Sequence, residues 1–171
     1  YNGGGQLGDG GTDNHYRPTA AGTAAWTQIA AGEYHSIGID TDGALWSCGE
    51  NGSGELGLGD TEIHTTLTRV GTQTGWQHVS AGDSFSLALD ASSHLWAWGA
   101  NGNGRLGDGT NENRSSPVPI GSITWRTVSA GNYHGIGLDL NGQLWAWGAN
   151  SSGQLGDGSG EDQPSPVPVG L

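Results

Sequence analysis

The chain of 171 residues lacks lysine and methionine and carries a single cysteine, Cys48. One cysteine excludes an intrachain disulfide framework. Five basic against 17 acidic side chains give a formal net charge of −12, and this excludes a nucleic-acid-wrapping function, which needs clustered cations. No apolar run approaches the roughly 18 residues of a membrane-spanning helix, so no span is predicted. Because methionine is absent, we expect residue 1 to follow a cleavage site or to lie within a longer protein.

Glycine and tryptophan are the abundant residues. The chain has 34 glycines and eight tryptophans, whereas glycine makes up only about 7% of average proteins. The tryptophans exclude a disordered glycine-rich linker, because they supply large apolar side chains for a core. Together the two residue types predict many tight turns that join short buried strands.

Three landmarks recur at a nearly constant period. Trp26, Trp76 and Trp125 stand 50 and 49 residues apart, and Ala-Gly and Leu-Trp pairs follow each of them. The motif Asn-x-x-Gly-x-Leu-Gly begins at Asn2, Asn51, Asn101 and Asn150. Repetition at such a period indicates a repeat architecture. The sequence therefore divides into three complete units, 2–50, 51–100 and 101–149, and a partial fourth, 150–171.

Within each unit the local signals are those of β-structure. Two short apolar runs flank Asp42-Gly43 in the first unit and Asn141-Gly142 in the third, as in tight hairpins. The second unit lacks a glycine at Ser93, so we expect a different turn there. Segments such as 117–120, with alternating prolines, are strand-like but lack ladder donors, which predicts an edge or blade rim. No capped helical pattern is present, and helix content is predicted to be near zero.

Several strands in each unit of about 50 residues favour an all-β propeller over a solenoid. The third unit reads Trp-Arg-Thr-Val-Ser-Ala-Gly-Asn-Tyr-His over 125–134, Gln-Leu-Trp-Ala-Trp-Gly-Ala-Asn over 143–150 and Gly-Gln-Leu-Gly-Asp-Gly over 153–158. These motifs resemble the regulator of chromosome condensation repeat family along the whole chain. The resemblance implies β-propeller blades, typically seven in a ring. Phe85, Cys48, Glu55 and Arg105 depart from the family pattern of His, Trp and Gln.

The number of repeats predicts an incomplete ring. Closed propellers have about four to eight blades, so three repeats and a fraction would leave sheet faces and a strand edge open to water. We therefore expect an oligomer or a fragment of a longer propeller. The ring could be completed by another segment of a parent protein or by a second copy of the chain, and the units could instead stack into an open assembly.

The sequence offers no catalytic or cofactor-binding residues. His35 and His134 share a repeat position that Phe85 fills in the middle unit, which favours structural packing with a backbone hydrogen bond over catalysis or metal binding. Cys48 takes the place of a tryptophan and is interpreted as an inert apolar substitute. No Ser-His-Asp set or carboxylate pair recurs with the repeat. The chain is therefore predicted not to be an enzyme.

The acidic turns are the one candidate metal site. Calcium favours oxygen ligands on flexible turns, although Gly-Asp-Gly-Thr is also the ordinary turn of this repeat family. Solvated loops are the main interpretation, and calcium is the alternative. The candidate ligands are Asp9, Asp13, Asp108, Asn111, Glu112, Asp157 and Asp162.

The expected function is that of a non-enzymatic propeller scaffold that binds a protein partner or copies of itself. One alternative, implied by the resemblance, is guanine nucleotide exchange on a small GTPase, although no insertion long enough for the required wedge is present. Another is a secreted or surface adhesive or inhibitory module. The lack of lysine and the abundance of Gly, Thr and Ser fit an extracellular location.

Overall fold

A computed structural model describes residues 1–170; Leu171, the last residue of the predicted fourth unit, lies outside the described residues. Eleven strands and one short 3₁₀ turn (Gly102–Gly104) are present in this range. The strands are β1 (Trp26–Ala31), β2 (His35–Asp40), β3 (Leu45–Gly49), β4 (His64–Arg69), β5 (Trp76–Ala81), β6 (Phe85–Asp90), β7 (His94–Gly99), β8 (Arg114–Ala130), β9 (His134–Asp139), β10 (Leu144–Gly148) and β11 (Gln163–Val169). No helix of residues 1–170 is long and apolar enough to cross a membrane.

The strands form three antiparallel four-stranded blades. β1–β4 make one sheet, and β5–β11 make a second. In the second sheet the 17-residue β8 serves two blades, because its first half pairs with β7 and its second half with β9. We call β1–β4 blade 1, β5–β7 with residues 114–120 blade 2, and residues 125–130 with β9–β11 blade 3. The all-β prediction is confirmed.

The blades are out of phase with the units read from the sequence. Each blade begins at the tryptophan of its innermost strand and ends at the outer strand that follows the next Asn-x-x-Gly-x-Leu-Gly motif. Residues 163–169 therefore complete blade 3, by pairing with β10. The proline-containing segments are outer strands, as predicted, because Pro119 and Pro168 each pair with one neighbouring strand only.

The β2–β3 hairpin turn depends on an aspartate and a left-handed residue. Asp40 Oδ1 accepts the amides of Asp42 and Ala44 at 3.0 and 2.9 Å, and Gly43 has φ +74°. The expectation of a different turn in the second unit is wrong. Ser93 takes the glycine position with φ +64°, and its amide donates to Asp90 O at 2.9 Å, as that of Gly43 does to Asp40 O. The aspartate bonds impose the turn although serine disfavours this conformation.

The core lies between blades. Blade 1 contributes Ile37, Ile39, Leu45 and Val70 to a cluster with Trp76, Val79, Ala88 and Trp98 of blade 2. Blade 2 and blade 3 repeat this arrangement, with Leu87, Leu89, Leu95 and Ile120 against Trp125, Val128 and Trp147. Each blade thus has two faces. The forward face is aliphatic and contacts the following blade, and the back face is rich in tryptophan and contacts the preceding blade. Tryptophan supplies large side chains to the core, as predicted from the sequence, and this core lies between the blades.

The recurring asparagine holds the turn after the third strand. Asn101 is fully buried, its Oδ1 accepts the amide of Leu106 at 3.0 Å, and its Nδ2 donates to Asp108 Oδ1 at 2.9 Å. The equivalent asparagines Asn2, Asn51 and Asn150 make the same bond to the amide five residues ahead, at 2.9–3.0 Å. A buried amide with these partners fixes the turn, which explains why the motif needs Asn at this spacing.

Candidate functional site: the exposed blade faces

The Asn-x-x-Gly-x-Leu-Gly segments, here called connecting segments, join neighbouring blades. In segment 51–57 the carbonyl of Glu55 accepts Trp98 Nε1 at 2.8 Å and Ser86 Oγ at 2.9 Å, both from blade 2. In segment 101–107 the carbonyl of Arg105 accepts Trp147 Nε1 of blade 3 at 3.0 Å. Each segment therefore leaves one blade and is hydrogen-bonded to the next.

The first and last connecting segments differ in what they contact. Segment 2–8 lies on blade 1, where the carbonyl of Gln6 accepts Ser36 Oγ at 2.8 Å. Segment 150–156 has no following blade within the described residues, and Gln154 is exposed whereas Glu55 and Arg105 are buried. The chain thus has four connecting segments for three blades.

The forward face of blade 3 is apolar and exposed. Ile136 and Leu144 are 38% and 39% accessible, and Leu138 is half-buried. The equivalent residues of blades 1 and 2 are at most 4% accessible, because the next blade covers them. Those residues are Ile37, Ile39, Leu45, Leu87, Leu89 and Leu95.

The back face of blade 1 is the second exposed face. Ile29 is 77% accessible, whereas Val79 and Val128 at the equivalent positions are 5% and 3% accessible. Trp26 is half-buried, and Trp26 and Ile29 both line an open, mainly apolar groove of about 450 Å³. Because the same positions are covered in blades 2 and 3, this face has the chemistry of an inter-blade contact.

A buried polar network crosses the contact between blades 1 and 2. Ser86 Oγ donates its one proton to Glu55 O, so His35 Nε2 donates to Ser86 Oγ at 2.9 Å. The predicted backbone hydrogen bond of His35 is therefore wrong, since the partner is a hydroxyl of the next blade. Burial lowers the pKa of His35 to about 4. Ser86 is fully buried and directs its proton away from the imidazole, an arrangement unlike that of an activated nucleophile.

Cys48 has the environment of a packing residue. It is 1% accessible and lies 3.6 Å from Gln6 O, and burial raises the pKa of its thiol to about 11. A thiol with so high a pKa is almost entirely protonated at neutral pH and is a poor nucleophile. The geometry agrees with the interpretation of Cys48 as an apolar substitute.

Polar residues at the inner ends of the blades were not identified from the sequence. Residues 33, 83 and 132, each directly after an Ala-Gly pair, surround a polar groove of about 380 Å³. The hydrogen bond that the protonated Glu33 carboxyl donates to the neighbouring Asp83 carboxylate raises the pKa of Glu33. Nearby, the Arg105 guanidinium stacks on the Tyr133 ring at 4.7 Å. The signal that could have revealed this rim is the polar residue that follows every Ala-Gly pair.

Three of the seven calcium candidates act as acceptors inside their own turns. Asp9, Asp108 and Asp157 each accept the side-chain amide of the connecting-segment asparagine, at 2.9–3.3 Å. Their second oxygens are also engaged, since Asp108 Oδ2 pairs with Arg114 at 2.8 Å and Asp157 Oδ2 accepts Gln163 Nε2 at 3.0 Å. The amides of Gly11 and Ser159 lower the pKa of Asp9 and Asp157, and for Asp108 the bonds from Thr110 and Arg114 outweigh burial, so the pKa of each carboxyl lies below its usual value.

The other candidates are not gathered around a common centre. Asp162 Oδ1 accepts the amide of Asn150 at 2.8 Å, while Asp13, Asn111 and Glu112 are exposed. No group of three or more His, Cys, Asp or Glu side chains in residues 1–170 is arranged to hold a metal ion. Calcium binding at these turns has no support from the geometry and stays a prediction.

Comparison with known proteins agrees with the blade geometry. The sequence pattern described as "Regulator of chromosome condensation (RCC1) repeat" matches residues 42–89, 92–138 and 141–171. A second pattern of the same description matches residues 26–55, 76–105 and 125–154, which begin at the first tryptophan of each blade. The chain belongs to the RCC1 repeat family. A comparison with curated protein sequences gives no match.

Solved structures place these RCC1 repeats within larger propellers. Human WBSCR16 is similar with a TM-score of 0.86 and 22% identity, over 99% of this chain and 46% of that one. Yeast RCC1 (Prp20), solved bound to Kap60, is similar with a TM-score of 0.79 and 23% identity, over 85% of this chain and 37% of that one. The 171 residues span less than half the length of these relatives, and at such identities the likeness shows the fold alone.

Proposed function

We propose that this RCC1 chain is a non-enzymatic scaffold that binds a protein partner through its exposed blade faces. The observation that carries the proposal is the pair of exposed apolar faces, Ile136 with Leu144 on blade 3 and Trp26 with Ile29 on blade 1. Exposed patches of this kind mark protein–protein contacts. The proposal is further supported by the buried state of Ser86, His35 and Cys48, none of which is available to a substrate.

A second copy of the chain is the less favourable partner. Head-to-tail packing of two copies would bring segment 150–156 of one copy to blade 1 of the other. Segment 2–8 already occupies that position, through the bond of Ser36 Oγ to Gln6 O. Self-assembly by this route therefore has to displace segment 2–8 from blade 1. A partner blade that carries no connecting segment can pack against blade 1 while segment 2–8 stays in place.

A tandem extension tests the proposal with a defined partner. A copy of residues 122–170 joined after Gly170 keeps the natural spacing between blades. We expect the added blade to pack on the forward face of blade 3 and to unfold cooperatively with the rest, at a higher urea midpoint than the native chain. Separate unfolding of the added blade, with no change in the midpoint of the native part, would contradict the proposal.

Two substitutions provide the matched controls. Ile136→Asp places a charge on the forward face, and it is expected to abolish the gain in the extended chain while leaving the native 171-residue chain nearly unchanged. Leu140→Asp introduces the same charge at a residue that is 50% accessible and lies in the β9–β10 turn. It is expected to have little effect in either chain, and equal effects of both variants would argue against binding through this face.

A further inference from the structure

Arg105 departs from a hydrogen bond that the other connecting segments share. In those segments the side chain at this position accepts the amide of the residue two places before it, at 2.8–3.0 Å. An arginine side chain has no acceptor atom, so Arg105 cannot make this bond to the amide of Asn103. The pairs in the other segments are Gln6 with Gly4, Glu55 with Ser53 and Gln154 with Ser152.

The segment around Arg105 is arranged differently from the others. Arg105 Nε donates to Gly102 O at 2.9 Å, and Asn103 has a left-handed φ of +65°. The residues at the position of Asn103 in the other segments have no positive φ. The left-handed region is unfavourable for residues other than glycine. A residue that breaks a local rule of its own repeat is expected at a functional or strained position.

The Arg105 guanidinium is held in place but has no anionic partner. Its Cζ lies 4.7 Å from the centre of the Tyr133 ring, and Arg105 is only 9% accessible. Burial lowers the pKa of Arg105, and Asp83 opposes this effect from a distance, but no Asp or Glu of residues 1–170 forms an ion pair with it. The more exposed Arg114, in contrast, pairs with Asp108 at 2.8 Å. Because burial of an unpaired charge is unfavourable, the environment of Arg105 favours an added anion.

One edge of the guanidinium remains free for a ligand. Tyr133 takes one face of the planar group, and Gly102 O takes the Nε–H. The N–H groups of the two terminal nitrogens form a rigid fork that matches the two oxygens of a carboxylate. Tyr133 is 47% accessible and Gly102 is exposed, so a side chain can reach this edge from solvent.

We propose that Arg105, oriented by Tyr133, binds a carboxylate side chain of a partner protein. A carboxylate carries one negative charge, whereas a phosphate group carries about two. The single charge suits a site near Asp83 in a chain of net charge −12. The site is open and has one cation, so further contacts of a protein are needed to hold the ligand. This inference goes beyond the proposed function, because Arg105 lies at the inner end of the blades and not on an exposed blade face.

The test is a titration of the native chain with a capped Ala-Glu-Ala peptide, followed by nuclear magnetic resonance. The reporters are the Nε–H group of Arg105 and the backbone amide of Tyr133. We expect both resonances to shift saturably, and the isosteric Ala-Gln-Ala peptide to bind at least about tenfold more weakly, since one charge-assisted fork is worth that much. The Nε–H resonance of Arg126, which donates to Leu140 O through its other nitrogen, should not respond.

Three variants separate binding from folding. Arg105→Gln restores the residue found in segments 2–8 and 150–156, and its amide oxygen can accept the amide of Asn103. It should weaken peptide binding at least about tenfold, while the midpoint of urea unfolding is no lower than in the native chain. Arg105→Lys keeps the charge without the fork and should bind with intermediate affinity. Arg126→Gln is the matched control and should leave binding unchanged.

Four results would overturn the inference. The first is the absence of a saturable shift at about 50 mM peptide, and the second is equal affinity for the two peptides. The third is a lower urea midpoint of Arg105→Gln with unchanged binding, which would make Arg105 a structural residue. The fourth is tighter binding of inorganic phosphate than of the glutamate peptide, which would assign the site to a phosphoryl group. None of these results affects the proposed function, which the tandem extension tests at the blade faces.

Discussion

Mild acid is expected to weaken the contact between blades 1 and 2 through His35. The imidazole is 1% accessible, and burial lowers its pKa from 6.5 to about 4, an effect that Asp83 partly opposes. The folded state therefore holds His35 neutral over a range in which the unfolded chain takes up a proton. The free energy of unfolding falls as the pH drops below 6.5 and levels off below about 4. At 1.36 kcal/mol for each pKa unit, the loss approaches about 3 kcal/mol.

The assay is urea unfolding at several pH values between about 7 and about 4, the range in which histidine and carboxyl groups change charge, for the native chain and for His35→Phe. Phe85 fills the equivalent position in blade 2, so a phenyl ring fits the repeat. The variant loses the bond to Ser86, which should cost about 1 kcal/mol at neutral pH. Carboxylates contribute to acid sensitivity in both proteins, so the difference between the two pH profiles isolates the imidazole. Profiles that run parallel would refute the reasoning.

Three further predictions concern single residues. Ser93→Gly should raise the free energy of unfolding by about 1 kcal/mol in thermal or urea unfolding, because it relieves a left-handed serine, and Gly142→Ser at φ +86° should lower it by a similar amount. Asn101→Ala should lower the free energy of unfolding by about 3 kcal/mol, because the buried amide of Leu106 loses its acceptor. A decrease no larger than that of a substitution at an exposed residue would show that the turn is stable without Asn101. The Cys48 thiol should not react with a disulfide reagent in the folded chain at neutral pH but should react fully in urea, and rapid native labelling would contradict its raised pKa.

The repeat made much of the fold predictable. The spacing of Trp26, Trp76 and Trp125 marked the repeat, and each of these tryptophans is the residue at which a blade begins. Asp42-Gly43 located a hairpin. The turn at Ser93 was mispredicted from its lack of glycine, since Asp90 supplies the bonds that hold the turn there. Local preference was overridden by hydrogen bonds that the sequence pattern did not reveal.

The functional surfaces were less accessible to sequence reasoning. The number of repeats predicted that some blade faces would be exposed, but it did not show which ones. Ile136 and Ile29 are exposed, although they have the same repeat positions as the buried Leu87 and Val79. From the sequence, the acidic turns are candidate oxygen ligands for calcium. In the structure, Asp108 is instead bonded to Asn101 and Arg114. Side-chain type alone does not indicate whether a carboxylate is free or already bonded.

The sequence by itself determined the blade, because the alternation of apolar residues, the turn residues and the buried asparagine recur at fixed intervals and specify local geometry wherever they occur. Only the tertiary structure decided where each blade ends and which residues remain without a partner. The long strand β8 is shared by two blades, and the outer strand of a blade follows a connecting segment that is hydrogen-bonded to the next blade. Contacts between distant segments set these relations, so Leu87 and Ile136 share a repeat position although one is buried and the other exposed.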